Sequence, residues 1–247
     1  MPDGVDLLVF DPHPDDLEIG LGGAIAKHVA LGHRVGLCDL TRGELGTNGT
    51  PEERLEESEA ARAVLGASWR ENLRLPDGDI GGERSHLREI VELMRRARPK
   101  TIAVPYGRDR HPDHVAASRL LTRAAFLSGL TRYAATGEKW RADWLLYYFI
   151  NDSTRPSFVV DVSAQYDTKR AALACHRSQF APPSTAATAT RLNTPRFQQL
   201  IESRDAQFGA LIGVPFAEGV IVRELLVREH LLHPNAQSPR VGGPEQR

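Results

Sequence analysis

Apolar residues in this chain fall into short, nearly continuous runs, and the stretches between them carry apolar positions at helical spacing. Residues 5–10 (VDLLVF) form a run of the kind buried on both faces of a parallel sheet. Residues 24–31 alternate small, apolar and basic positions as a helix does, with Gly32 as the stop. Residues 34–40 read as a second strand and 41–50 as a glycine-rich loop. Thr50, Pro51 and Glu53 make a helix start: a hydroxyl N-cap, a first-turn proline and the return carboxylate of a capping box. A charged amphipathic helix follows to about Leu65. Residues 71–75 are a short strand ended by Pro76-Asp77-Gly78-Asp79, 83–98 a helix stopped by Pro99, 101–105 a strand and 112–127 a helix.

This β-α-β-α-β-α-β-α order predicts an α/β domain built on a parallel, doubly wound sheet with right-handed crossovers. Further on, residues 144–150 and 158–162 read as strands, 163–178 and 194–209 as helices, and 218–223 as a last strand or edge. Residues 182–190, rich in Pro, Ser, Thr and Ala, read as loop.

Composition narrows the class. The 247 residues suit a single domain over 1–233 with a disordered tail over 234–247. A formal net charge of −1 argues against a general nucleic-acid binder. No run approaches the roughly 20 apolar residues of a membrane span. The N-terminus shows no basic segment followed by an apolar one, so a cytoplasmic protein is expected. Two cysteines, Cys38 and Cys175, with no Cys-x-x-Cys, fit a reducing compartment and exclude a thiolate zinc site.

Candidate chemistry concentrates at two strand ends. His13-Pro14-Asp15-Asp16 follows the first apolar run, and His111-Pro112-Asp113-His114 follows the strand at 101–105. Ligands of an open parallel sheet bind outside the carboxyl ends of its strands, so both clusters belong at one edge. A loop after the first strand, stiffened by Pro14, lets His13 and Asp16 converge, and His114 supplies a third donor. Two imidazoles and a carboxylate suit Zn2+, and Fe2+ or another divalent ion uses the same donor types. Such a set leaves positions open for water and substrate. Asp15 is the leftover carboxylate, available as general base. His111 is the leftover imidazole, which Asp113 can orient or keep protonated so that it stabilises an oxyanion or protonates a leaving amine. Each cluster alone has a bland reading, a capped helix with solvated histidines. Together they point to metal-assisted hydrolysis of an acyl bond.

On these residues the chain resembles the LmbE/PIG-L family of zinc-dependent N-acetylglucosaminyl deacetylases. Its members carry a PHPDD or AHPDD motif after the first strand and an HPDH-type motif later. Here these are Pro12-His13-Pro14-Asp15-Asp16 and His111-Pro112-Asp113-His114. The chain most resembles the branch that deacetylates N-acetylglucosaminyl malate in bacillithiol biosynthesis. Further matches are Thr41-Arg42-Gly43-Glu44, Gly49-Thr50-Pro51-Glu52-Glu53-Arg54, Leu75-Pro76-Asp77-Gly78, Ser178-Gln179-Phe180 and Ala217-Glu218-Gly219. The resemblance implies a Rossmann-like three-layer α/β/α fold with a mostly parallel sheet. It implies His13, Asp16 and His114 as zinc ligands, Asp15 as base, His111 and Asp113 as a charge-stabilising pair, and Arg54 as a substrate contact. It also implies a small-molecule N-acetylglucosamine conjugate as substrate and a homo-oligomer, hexamers being common in that branch. The sequence departs at Phe197, where some relatives place a pocket tyrosine.

Weaker signals sort around this core. Glu18-Ile19-Gly20-Leu21-Gly22-Gly23, with Asp39 downstream, invites a dinucleotide-binding reading. It fails because the final small position counted from Gly20 falls on Ile25 and the segment does not follow the strand directly. Close helix–sheet packing is the better use of these glycines. Arg42, Arg108 and Arg110 flank the expected pocket and suit the malate carboxylates through bidentate contacts. Gln179 either reaches substrate or caps local backbone. His28, His33, His86, His230 and His233 read as surface or helix-end residues, and His176 as structural.

Overall fold

The computed structural model describes residues 4–81, 83–182 and 188–226. Strand and helix alternate as the periodicity predicts: β1 (Leu7–Asp11), α1 (Asp16–Ala30), β2 (Val35–Thr41), α2 (Pro51–Leu65), β3 (Trp69–Leu75), α3 (Arg84–Ala97), β4 (Thr101–Pro105) and α4 (Pro112–Ser128). Then come β5 (Trp144–Tyr148), β6 (Phe158–Asp161), α5 (Tyr166–Cys175), α6 (Arg177–Phe180), α7 (Pro195–Ala210) and β7 (Ala217–Ile221). One sheet results, in the order β3-β2-β1-β4-β5-β7-β6. β1 to β5 pair in parallel, and β7 pairs antiparallel with β5 and with β6. The expected three-layer α/β/α architecture with a mostly parallel sheet is therefore present.

Alternate strand residues feed opposite faces. Leu7 and Val9 pack with Leu17 and Ile25 of α1 and Ala61 of α2 on one side. Leu8 and Phe10 pack with Ile90 and Met94 of α3 and Leu121 of α4 on the other. All five residues of β1 are buried, which is why its first four, Leu7 to Phe10, read as an apolar run before Asp11. From β1 the chain steps outward to β2 and β3, then returns to place β4 on the other flank of β1. The gap beyond the carboxyl ends of β1 and β4 is thus a topological switch point, where open α/β sheets bind ligands.

Several boundaries differ from expectation for physical reasons. α1 begins at Asp16, not near residue 24, and its residues from Asp16 to Ala26 are buried. A helix covered all round has no amphipathic period to betray it. Asp16 is consequently the first helical residue rather than part of a loop. The glycines in this stretch serve contact: a Cβ at Gly20 would run into the Tyr148 ring, and one at Gly23 into Val162. Asp39 is engaged by Arg70, whose Nη2 lies 2.6 Å from its Oδ1. The helix expected over 163–178 is interrupted, with a 3-10 turn at Ser163–Gln165 and a break at His176 between α5 and α6. β7 is not an edge, since it inserts between β5 and β6. His86 stands at a helix end, in the first turn of α3, but is buried there, at 7% exposure, rather than on the surface. The capping box at Thr50 forms as expected. His230, His233, the tail over 234–247 and most of the loop at 182–190 lie outside the described residues.

A buried ion cluster ties the middle of α1 to the second half of the chain. Lys169, with no exposure, places Nζ 2.7 Å from Asp205 Oδ2 and 2.6 Å from Glu218 Oε1. It also donates to the Ile19 carbonyl at 3.0 Å, as does Arg204 Nη2 at 2.6 Å. The Glu218 carboxylate accepts from the amides of Gly23 and Ala24 at 3.0 and 2.7 Å. Each buried charge has an opposite charge and hydrogen-bond partners, the condition under which burial is tolerable.

Candidate active site

The two motifs meet beyond the ends of β1 and β4. After β1 the chain turns sharply: Asp15 holds φ 128° and ψ −24°, a positive φ without glycine's freedom. Such a conformation costs on the order of 1–3 kcal/mol and persists only where its surroundings enforce it. Here Arg54, buried in α2, donates from Nη2 to the Pro14 carbonyl and from Nη1 to the Gly43 carbonyl, both at 2.9 Å. Thr41 Oγ1 donates to the Pro12 carbonyl at 2.9 Å. β2 and α2 thus hold the turn in place.

Three donors converge. His13 Nδ1 lies 3.1 Å from Asp16 Oδ2, and His114 Nε2 lies 3.2 Å from the same oxygen. All three residues are capable of holding one ion, their donor atoms falling within 4.8 Å of one another. Two donors on one tetrahedral zinc, each at about 2.0–2.1 Å, stand roughly 3.3 Å apart, so the spacing fits such an ion. The outer edges of both rings face carboxylates. His13 Nε2 is 3.2 Å from Asp113 Oδ2 and 3.2 Å from Asp77 Oδ1. His114 Nδ1 is 3.1 Å from Asp109 Oδ1, close as an ion pair though not aligned as a hydrogen bond. Carboxylates behind the imidazoles are the usual support of metal-ligating histidines, fixing tautomer and ring orientation.

Electrostatics separate the groups. Burial opposes the charged form of Asp16, but His114 and His13 hold its carboxyl well below the usual range. Burial likewise works against a charged His114, yet Asp16 and Asp109 outweigh it and push the ring up to about 9. Asp15 moves the other way: burial pushes its carboxyl up to about 7, with Arg54 opposing and Asp16 adding. Two adjacent carboxylates therefore have opposite tendencies, a separation that suits different roles. Burial and the neighbouring His13 and His114 lower the pKa of His111. Its ring stacks on His114 with centroids 4.7 Å apart.

Asp113 acts on His111 through its charge, which favours the protonated ring, and through its backbone, with no bond between the two side chains. The Asp113 backbone N–H donates to His111 Nδ1 at 3.2 Å, while its carboxylate is engaged by His13 and by the Gly78 amide, 2.9 Å away. Acceptance at Nδ1 leaves the proton of the neutral His111 ring on Nε2.

These residues line one cavity of about 490 Å³, within the usual range of small-molecule sites. Asp15, Arg54, Arg110 and Gln179 line it too, as does Phe197. Arg54 is buried at 4% exposure, not the exposed helix charge its spacing allows. Gln179 donates to the Asn48 carbonyl at 2.7 Å and so also braces the glycine-rich loop. Arg42 and Arg108 stand outside the lining. Sequence reasoning passed over Asp77, Asp109, Asn151 and Arg191. The Leu75-Pro76-Asp77-Gly78 match carried a signal for the first, but nothing comparable marks the other three.

The profile of the PIG-L family, GlcNAc-PI de-N-acetylase, matches residues 8–125. A diacetylchitobiose deacetylase of Thermococcus kodakarensis is 30% identical over 189 residues, covering 70% of this chain and 70% of that protein. A 1D-myo-inositol 2-acetamido-2-deoxy-alpha-D-glucopyranoside deacetylase of Catenulispora acidiphila is 28% identical over 242 residues, covering 70% of this chain and 79% of its own. Among solved structures, a conserved protein of Thermus thermophilus superposes with a TM-score of 0.83 at 38% identity, covering 95% of this chain and all (100%) of that one.

Proposed function

Because the chain belongs to the PIG-L family of GlcNAc-PI de-N-acetylases, we propose that it is a metal-dependent deacetylase of an N-acetylglucosamine conjugate, with N-acetylglucosaminyl malate as the substrate. One observation carries this reading: the donors of His13, Asp16 and His114 converge beside a carboxylate and an imidazole that are not among them, Asp15 and His111, in a single cavity. Relatives named for chitobiose and for an inositol conjugate support the sugar; the malate rests on the motif resemblance.

In this reading His13 Nδ1, an Asp16 oxygen and His114 Nε2 hold a divalent ion, zinc or iron. The ion supplies Lewis-acid polarisation of the acetyl carbonyl and acidifies water. Asp15 accepts the proton of the water that attacks the carbonyl carbon; its raised pKa places it near the working pH of a general base. Arg54 fixes the carboxylate from 3.4 Å away. His111 donates from Nε2 to the developing oxyanion. As the C–N bond breaks, the proton taken up by Asp15 passes to the amine nitrogen, and acetate and the free glucosamine conjugate leave. Arg54, Arg110 and Gln179 contact the substrate.

The test is acetate release from matched N-acetylglucosamine conjugates by protein stripped with a strong chelator and then reloaded. Activity on the malate conjugate well above free N-acetylglucosamine, lost on stripping and restored on reloading, is expected. Equal turnover of all conjugates would remove the malate assignment, and turnover indifferent to stripping would remove the metal. Among the described residues no helix is long and apolar enough to cross a membrane.

A further inference from the structure

The carboxylates of the cavity sit around the histidines, while two arginines line it with no carboxylate in ion-pair contact among the described residues. Arg110 and Arg191 both border the cavity, and among the described residues neither has an ion-pair partner. Arg191 is nevertheless fixed. Its Nη1 donates to Asn151 Oδ1 at 2.7 Å, and its guanidinium lies over the Phe197 ring, 5.0 Å from the centroid. Asn151 is itself held by Asp109, which accepts from the Asn151 amide nitrogen and from its Nδ2, each at 3.0 Å. Asp109 is the carboxylate that faces His114. A continuous polar chain thus runs from His114 through Asp109 and Asn151 to Arg191, setting a cation at a defined place relative to the three converging donors. Burial and the charge of Arg110 work against the Arg191 cation, with Asp109 and Asp152 opposing them, so an anion taken up between the two arginines would favour both.

We propose that Arg110 and Arg191 form a carboxylate subsite that reads the acidic group attached to the sugar, and that Arg191 is the residue setting preference for an acidic over a neutral conjugate. This deepens the deacetylase reading and rests on it for the sugar. A guanidinium already held by an amide oxygen and lying over an aromatic ring loses less rotamer freedom when it grips a carboxylate than a free one would. The planar fork also explains why arginine rather than lysine stands here.

The experiment compares glucosaminyl malate with its dimethyl ester, which keeps sugar and linkage and removes the charge. Binding of both to the metal-loaded full chain is measured by calorimetry, for the natural protein and for R110Q, R191Q and R191K. Acetate release from the two N-acetylated counterparts is followed in parallel. The acid should bind at least about tenfold tighter than the ester, the scale of one charged hydrogen-bonded contact. R191Q should collapse that ratio, R110Q should reduce it, and R191K should keep more of it than R191Q. Equal binding of acid and ester by the natural protein overturns the proposal, as does a ratio that survives R191Q. Loss of affinity for both compounds in proportion would assign Arg191 to support of Phe197 instead, and also overturns it. Absence of acetate release from either compound, with the binding preference intact, counts against the deacetylase reading and leaves the subsite supported.

Discussion

His13 Nε2 lies 3.2 Å from Asp113 Oδ2, a hydrogen bond between motifs 100 residues apart in the chain. It makes Asp113 a brace for His13 as much as a neighbour of His111. Asp113→Ala should therefore weaken metal binding roughly 10–100-fold, the cost of losing a carboxylate behind a ligating histidine. Chelator competition measures this. Unchanged affinity with a fall in turnover alone would return Asp113 to the role of tuning His111.

Asp15→Asn is expected to keep the metal and lose roughly 10²–10⁴-fold in kcat, the usual contribution of a positioned general base. Metal content by elemental analysis and single-turnover acetate release separate the two effects. Near-normal turnover would end the base assignment.

Arg54 has its guanidinium committed to the Pro14 and Gly43 carbonyls. Arg54→Ala strands those acceptors and should cost about 1–3 kcal/mol of stability. It should also lower kcat more than it raises KM, because the turn carrying Asp15 loosens. Arg54→Lys cannot span both carbonyls in the same fork geometry and should restore little. A pure KM effect would show Arg54 to be a substrate contact only.

The stripped protein should lose stability as pH rises through the pKa of His114. Asp16 and Asp109 raise that pKa to about 9, against the opposing effect of burial. A raised folded-state pKa means the protonated ring stabilises the fold fully below its unfolded value, about 6.5. That stabilisation disappears between there and about 9. A ligated imidazole has no such proton to lose, so metal-loaded protein should show a flatter profile, and loading near neutrality should release protons. Thermal unfolding across pH, with and without metal, reads the difference. Parallel profiles would argue that His114 is not a ligand.

Gly20→Ala and Gly23→Ala should each destabilise by about 1–3 kcal/mol, since the new methyl would meet Tyr148 or Val162 in a filled interior. Urea midpoints report it. A neutral result at Gly20 would mean that the Tyr148 ring gives way cheaply.

The strands, the capping box and both metal-type motifs were legible because each carries a local rule: an apolar run, a capping pattern, donors at a strand end. The start of α1 was not, because burial on every side erases the polar face that marks a helix boundary. Asp109 and Asn151 were invisible for another reason. Their meaning comes from where β4 and β5 end side by side, which no spacing along the chain encodes. Arg54 shows the opposite hazard. Among the glutamates of α2 it looks like a solvated charge, yet it faces inward because the turn at Pro14 and the glycine loop at Gly43 present carbonyls that need a donor.

The pairing of β1 with β4 has a consequence in time as well as in space. Leu7, Leu8 and Val9 are in register with Thr101, Ile102 and Ala103, with β2 and β3 threaded in the chain between them. Such distant parallel pairing is slow to form, since a long loop must close before its contacts repay the lost entropy. His13 and Asp16 come with one of these strands and His114 with the other. On the proposed metal-dependent reading, a nascent chain offers an ion only a partial, weak set of donors until the centre of the sheet has zipped. Tight capture of a metal would then come after the pairing of β1 with β4, late in folding.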